Sequence, residues 1–488
     1  PPPESARVKA IVSILRIVLW VIAPLEWMMV GVWELLPLMW RYRLTQILFR
    51  FLVFVVRVLG IRWGLDPSLS IEAHALAFVM GFGRYLPLNL RRIRFGLSCV
   101  AYSYPPIATV PTVTIDCNGT PGFYLSCGVS NGNGTNNAEK DTCASNGKTE
   151  SSNGSNGGNG CDAEKKVLLY FYGGAFVGGS AEANLGLAAR IARSINCDAL
   201  CVDYKRYPEA TLQEANIDAL NAYTWLMHHT SPRNIVVLGI SSGGGLATSM
   251  LQNLLRQGKE QPCAAALLGP WLEYTQCTRS ISENTQYDLI VNPRVYDFIR
   301  PMMPAMCGGE SKRRQMSPFF GPVKGLCPLH ISYSTIEVVT DECRSFAKRA
   351  KAEGVEVREY TADHLMHAFQ LFFGYIPEAK LAMVDIVVWL GEQLRTSQSQ
   401  GRKNENTNDG PKAASAGEER KSHGLGGGDN RSSSRRGAAL PADLAVHVEK
   451  CLDHRHLDSL FCDVLLILAS LGALILFPCI LCMFVLRS

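Results

Sequence analysis

Ser241 lies in Gly239-Ile240-Ser241-Ser242-Gly243-Gly244-Gly245, directly behind the apolar run Asn234-Ile235-Val236-Val237-Leu238. A β-branched run followed by a helical pattern from Leu246 reads as a strand turning sharply into a helix. Gly-x-Ser-x-Gly at such a junction is a nucleophile elbow. The turn forces the serine into a strained backbone, and the flanking glycines let strand and helix approach without a Cβ clash. The serine hydroxyl then stands exposed at a helix N-terminus, available for attack on a carbonyl carbon. The motif also recurs by chance in long chains, so its surroundings must carry the case.

Acyl transfer from a serine needs a base, an acid that orients the base, and donors for the oxyanion. In sheets with this elbow the acid and then the base follow the serine along the chain. His367, in Ala362-Asp363-His364-Leu365-Met366-His367-Ala368-Phe369, follows the last expected strand and is the candidate base, with His364 its nearest rival. Glu337 follows the expected strand Leu329 to Tyr333 and is the candidate acid. Asp341 is the alternative, although Asp341 and Glu342 also suit the first turn of a helix, where carboxylates favour the macrodipole. The oxyanion donors are expected from the glycines after the third strand, Gly173 and Gly174, and from Ser242, the residue after the nucleophile.

The elements that must position these residues alternate in type. Strands are expected at Ala108 to Cys117, Gly122 to Cys127, Val167 to Tyr172, Ala199 to Val202, Cys263 to Leu268, Leu329 to Tyr333 and Glu356 to Tyr360, besides the elbow strand. Helices are expected through Ala188 to Ile195, Gln213 to His229, Asp341 to Gly354 and Ala368 to Leu394, with irregular chain from Glu273 to Leu326. Strands alternating with helices predict an α/β fold with a mostly parallel sheet covered on both faces.

The 488 residues exceed one compact core, and a net charge of +5 gives no case for nucleic-acid binding. A hydrophobic fraction of 47% is high for a purely soluble protein and directs attention to membrane segments. Residues 1–63 are apolar but interrupted by charges, which suits an amphipathic interfacial helix, a span, or a buried cap helix. The catalytic domain is expected over 64–395, with a disordered Asn/Gly/Ser-rich insertion at about 130–161 and a cap part at about 273–326. A disordered linker is expected over 396–440. Val464 to Leu486 contains no charged residue and is long enough for a transmembrane helix. The sixteen cysteines have no repeating spacing, and His447, Cys451, His454 and His456 match no zinc pattern, so no metal or other cofactor is expected.

Five of these stretches, within roughly Lys166 to Gln393, together resemble the hormone-sensitive-lipase-like α/β-hydrolases, a family that includes arylacetamide deacetylase and many bacterial carboxylesterases. Tyr172-Gly173-Gly174-Ala175-Phe176 is similar to the family's His-Gly-Gly-Gly oxyanion motif, and Asp203-Tyr204-Lys205-Arg206-Tyr207-Pro208-Glu209 to its Asp-Tyr-Arg-x-x-Pro-Glu stretch. Gly239 to Gly244 fits the extended elbow, Glu337 with Asp341-Glu342 the Asp-Pro-Leu-x-Asp-Glu stretch, and His367-Ala368-Phe369 the His-Gly-Phe. Tyr172 in place of His, Ala175 in place of the third Gly, and Glu337 in place of Asp are the departures that bear on the chemistry. The resemblance implies an α/β-hydrolase fold with a helical cap from about Arg41 to Tyr102 and Glu273 to Leu326. It implies a serine esterase, lipase or deacetylase, and the expected attachment to a membrane such as the endoplasmic reticulum favours apolar esters as substrates. Acyl transfer or amide hydrolysis by the same residues stays open, as does oligomeric state. The alternative from another class is a non-catalytic ligand-binding protein on the same fold.

Overall fold

The computed structural model describes residues 66–81, 88–101, 104–128 and 165–408, with isolated helical positions between 40 and 54. These belong to the first of two compact units, Pro1–Cys451; the second, Leu452–Ser488, lies outside the described residues. Helices α1 (Ile71–Gly81) and α2 (Leu90–Ala101) precede strands β1 (Thr112–Asp116), β2 (Pro121–Leu125) and β3 (Val167–Phe171). Then come α3 (Ala181–Ser194), β4 (Asp198–Val202), α4 (Leu212–Met227), β5 (Ile235–Ile240), α5 (Ser242–Arg256) and β6 (Ala264–Leu268). Short helices, among them α6 (Arg279–Asn284) and α7 (Pro293–Ile299), lead to β7 (Leu329–Ser334), α8 (Thr340–Ala352), β8 (Val357–Ala362) and α9 (Pro377–Asn408).

The eight strands form one sheet in the order β1-β2-β4-β3-β5-β6-β7-β8. β2 pairs antiparallel with β1 and β4, and every other pair is parallel. Every residue of β3, β4, β5, β6 and β7 is buried. Side chains alternate across a strand, so full burial requires cover on both faces, and this explains the largely apolar make-up of β3 to β6. Burying each large aliphatic side chain contributes about 1.5–3 kcal/mol, so the central strands supply much of the stability of the sheet. The edge strand β8 alternates partly buried and exposed positions instead. Local signals fix the helix starts: Thr211 and Glu214 form a capping box at the head of α4.

Because β3 and β5 to β8 run parallel, the loops leaving their C-terminal ends gather at one edge of the sheet. Gly173, Ser241, Glu337 and His367 are all on such loops. Ligand sites of open α/β sheets form at this edge.

Two sequence expectations need correction. The chain from 396 to 408, assigned by composition to a linker, continues α9 through Asn408. That stretch has no proline, and Gln398 Nε2 donates to Asn234 Oδ1 at 3.0 Å, which fastens the helix ahead of β5. The single helix expected over Ala368 to Leu394 is instead a 3₁₀ turn, Phe369–Phe372, and a fresh start at Pro377. Proline lacks the N–H that a helix interior needs and disfavours the helical conformation of the residue before it. Most of 1–63, the whole insertion at 130–161 and the run 464–486 lie outside the described residues. Among the described residues no helix is long and apolar enough to cross a membrane.

Candidate active site

β5 ends at Ile240, and Ser241 takes φ 55° and ψ −120° before α5 begins. A positive φ in a non-glycine residue is costly, and here the surroundings hold it from both sides. Ser241 N donates to Leu268 O at 2.8 Å, and its carbonyl accepts from Trp271 N at 3.0 Å and Gly244 N at 2.9 Å. Gly243 cannot carry a side chain, because a Cβ there would run into the carbonyl oxygens of Phe171 and Tyr172. The elbow therefore puts the Ser241 hydroxyl at the positive end of the α5 dipole.

His367 Nε2 lies 2.8 Å from Ser241 Oγ, and His367 Nδ1 lies 2.7 Å from Glu337 Oε2. An ionised carboxylate only accepts, so the proton belongs on Nδ1, leaving Nε2 to accept from the serine. Glu337 is fully buried, and its second oxygen accepts the Ser334 amide at 2.7 Å. Burial by itself lowers the His367 pKa, but the hydrogen bond and charge of Glu337, with the charge of Asp288, overcome it and leave the imidazole above its usual value. The sheet makes room for the pair at Gly269, whose φ is 48° and where an added Cβ would lie 2.7 Å from Glu337 Oε2.

The rival residues are elsewhere. His364 is half exposed, with Nε2 3.5 Å from Asp66 Oδ2. Asp341 accepts the Ser280 amide at 2.9 Å and lies 3.8 Å from Arg344.

Gly173, Gly174 and Ala175 line the same cavity as Ser241 and His367. Among the described residues the amides of Gly173 and Gly174 donate to no backbone acceptor, while Gly174 O accepts from Val177 and Gly178 and closes the loop. Ser242, at the first turn of α5, is fully buried. Ala175 and Ala368, at or beside positions where the resembling family carries glycine, both have φ 53°. Each accepts a strain of roughly 1 kcal/mol that glycine would avoid.

Tyr172 and Tyr204 form a buried stacked pair, ring centroids 4.3 Å apart, each bonded to the other's backbone. Tyr204 Oη donates to Tyr172 O at 2.7 Å, and Tyr172 Oη to Tyr204 O at 3.3 Å. The carbonyl that Tyr204 holds belongs to the peptide whose N–H is that of Gly173. Tyr204→Phe leaves this carbonyl unsatisfied and frees the loop. Steady-state ester kinetics are expected to give a kcat about tenfold lower with KM little changed. An unaltered kcat would remove Tyr204 from the account.

The cavity beside Ser241 has a volume of about 300 Å³. Its walls come from α1 and α2 (Met80, Ile93, Leu97) and from the segment after β6 (Leu289, Val295, Ile299). α2 is fastened over the loop by Arg94, which donates to Val177 O at 2.6 Å and pairs with Glu209 at 2.6 Å. Sequence reasoning missed Gly269 and Asp288 altogether, and gave Tyr204 no role. Only the motif around Tyr204 offered a signal.

A profile of the alpha/beta hydrolase fold matches residues 168–371. An acetyl-hydrolase of Streptomyces hygroscopicus is 28% identical over 239 residues, covering 49% of this chain and 78% of that protein. An esterase of Acinetobacter venetianus is 27% identical over 232 residues, covering 45% and 73%. Among solved structures, an esterase from the bacterial hormone-sensitive lipase family superposes with a TM-score of 0.56 at 25% identity, over 67% of this chain and 99% of that one.

Proposed function

Since the sheet domain of this chain belongs to the hormone-sensitive-lipase-like α/β-hydrolases and the protein is a carboxylic-ester hydrolase, we propose that residues 64–395 hydrolyse apolar esters through Ser241, His367 and Glu337. The observation that carries this reading is the unbroken chain of two hydrogen bonds, 2.8 Å from serine to histidine and 2.7 Å from histidine to glutamate. As His367 Nε2 takes its proton, Ser241 Oγ attacks the carbonyl carbon. Glu337 holds the Nδ1–H tautomer and stabilises the imidazolium. The amides of Gly173, Gly174 and Ser242 receive the oxyanion. Collapse expels the alcohol, which takes the proton from His367. A water, activated by the same imidazole, then releases the acid and restores the serine.

The acyl group belongs in the apolar cavity. Each buried methylene contributes about 0.8 kcal/mol, so kcat/KM is expected to rise roughly fourfold per methylene from acetyl toward hexanoyl p-nitrophenyl esters. It is expected to fall at palmitoyl, which outgrows a cavity of about 300 Å³. A flat profile would show that this cavity does not receive the acyl chain. Folded enzyme with no turnover of any ester would favour the ligand-binding alternative. Retention at a membrane through residues 464–486 is part of the reading on the strength of their uncharged sequence alone. Alkaline carbonate extraction of cells expressing the chain tests it: the protein should stay in the pellet, and release to the supernatant would refute anchoring.

A further inference from the structure

The segment after β6 meets both catalytic loops at one carboxylate. Asp288 is fully buried between α6 and α7. Its Oδ1 accepts the amides of Ile290 at 3.0 Å, Val291 at 3.1 Å and His367 at 3.2 Å. Its Oδ2 accepts the amide of Val338, the residue after Glu337, at 3.3 Å. One side chain thus joins its own segment to loops 50 and 79 residues further along the chain. Neighbours reinforce the grip. Asn284 Nδ2 donates to Glu337 O at 2.9 Å, and Ser280 Oγ donates to Val338 O at 2.7 Å. Leu289, Ile290 and Val291, directly after Asp288, line the substrate cavity.

We propose that Asp288 is a positioning residue for ester hydrolysis, locking the cavity wall to the backbones of His367 and Glu337 and holding a negative charge beside the imidazole. This rests on the Ser241–His367–Glu337 reading above. Two effects follow from its place. The bond to the His367 amide fixes the backbone from which the ring projects, so Nε2 stays in register with Ser241 Oγ. The buried charge stabilises the imidazolium formed when the serine proton arrives, in surroundings where little water screens it. Among the described residues, Glu337 and Asp288 are the charged groups acting on the His367 ring, and both raise its pKa. Asparagine cannot reproduce Asp288. It offers one acceptor oxygen, and its amide group would face the Val338 N–H as a second donor.

The test uses the full chain carrying Asp288→Asn, with thermal unfolding, p-nitrophenyl butyrate kinetics against pH, and the rate of fluorophosphonate labelling. Expected is a folded enzyme with kcat lower by roughly 10- to 100-fold and KM little changed. The acid limb of kcat/KM should move to lower pH by about half a unit or more, because a charge favouring imidazolium is gone. Labelling should slow in parallel. If the asparagine variant does not fold, Asp288→Ser, where a water can replace the missing oxygens, must give the same pattern. A folded variant with wild-type kcat, or with an unmoved acid limb, overturns the proposal. Wild type that neither labels nor hydrolyses esters would instead refute the catalytic reading beneath it.

Discussion

Ser241→Ala is expected to lower kcat for ester hydrolysis by about 10⁵- to 10⁶-fold, with KM close to wild type. Among the described residues the side chain removed makes one polar contact, to His367 Nε2 at 2.8 Å, and alanine keeps the backbone in the same positive-φ elbow. Folding should therefore be spared while the atom proposed to form the acyl-enzyme is lost. What turnover remains would come from the oxyanion amides and the imidazole acting on bound water. Steady-state rates on p-nitrophenyl butyrate, with a thermal melt as control, measure this. A variant keeping more than about a hundredth of the wild-type kcat would place the nucleophile elsewhere.

Glu337→Gln is expected to lower kcat by roughly 10³- to 10⁴-fold. The geometry says why the near-isosteric change should be so severe. Ser334 N donates to Glu337 Oε1, so the amide oxygen of glutamine stays on that side and its NH₂ turns to His367. His367 Nδ1 must then accept, its proton moves to Nε2, and the imidazole can no longer take the serine proton. The pH profile should change with it. The carboxylate that raises the buried imidazole is gone, so its pKa falls and the acid limb of kcat/KM shifts to lower pH. Glu337→Asp, one methylene shorter, should recover part of the rate. Wild-type activity in Glu337→Gln, with loss in Asp341→Asn, would transfer the role to Asp341.

Much of this site can be read along the chain because each of its residues follows a strand. Ser241, Glu337 and His367 come after three different strands, and a parallel sheet leaves their loops at a common edge. Element ends are less legible. β1 begins at Thr112 instead of Ala108, since Pro111 has no N–H to give to a ladder. α9 outruns its apolar pattern through contacts such as that of Gln398, which no window of sequence contains. Asp288 is the clearest case of what stays hidden. It is one of several acidic residues in an irregular stretch, and nothing sets it apart until folding brings the amides of Val338 and His367 to it. Gly269 is similar, for only the nearness of Glu337 Oε2 explains why no side chain fits.

The most direct measurement is mass-spectrometric mapping of the fluorophosphonate adduct on folded wild type, Ser241→Ala and His367→Ala. The account predicts a single adduct on Ser241 in the wild type, none in Ser241→Ala, and labelling slowed by orders of magnitude in His367→Ala. An adduct on another serine, such as the neighbouring Ser242, or a folded wild type that does not react, would contradict it.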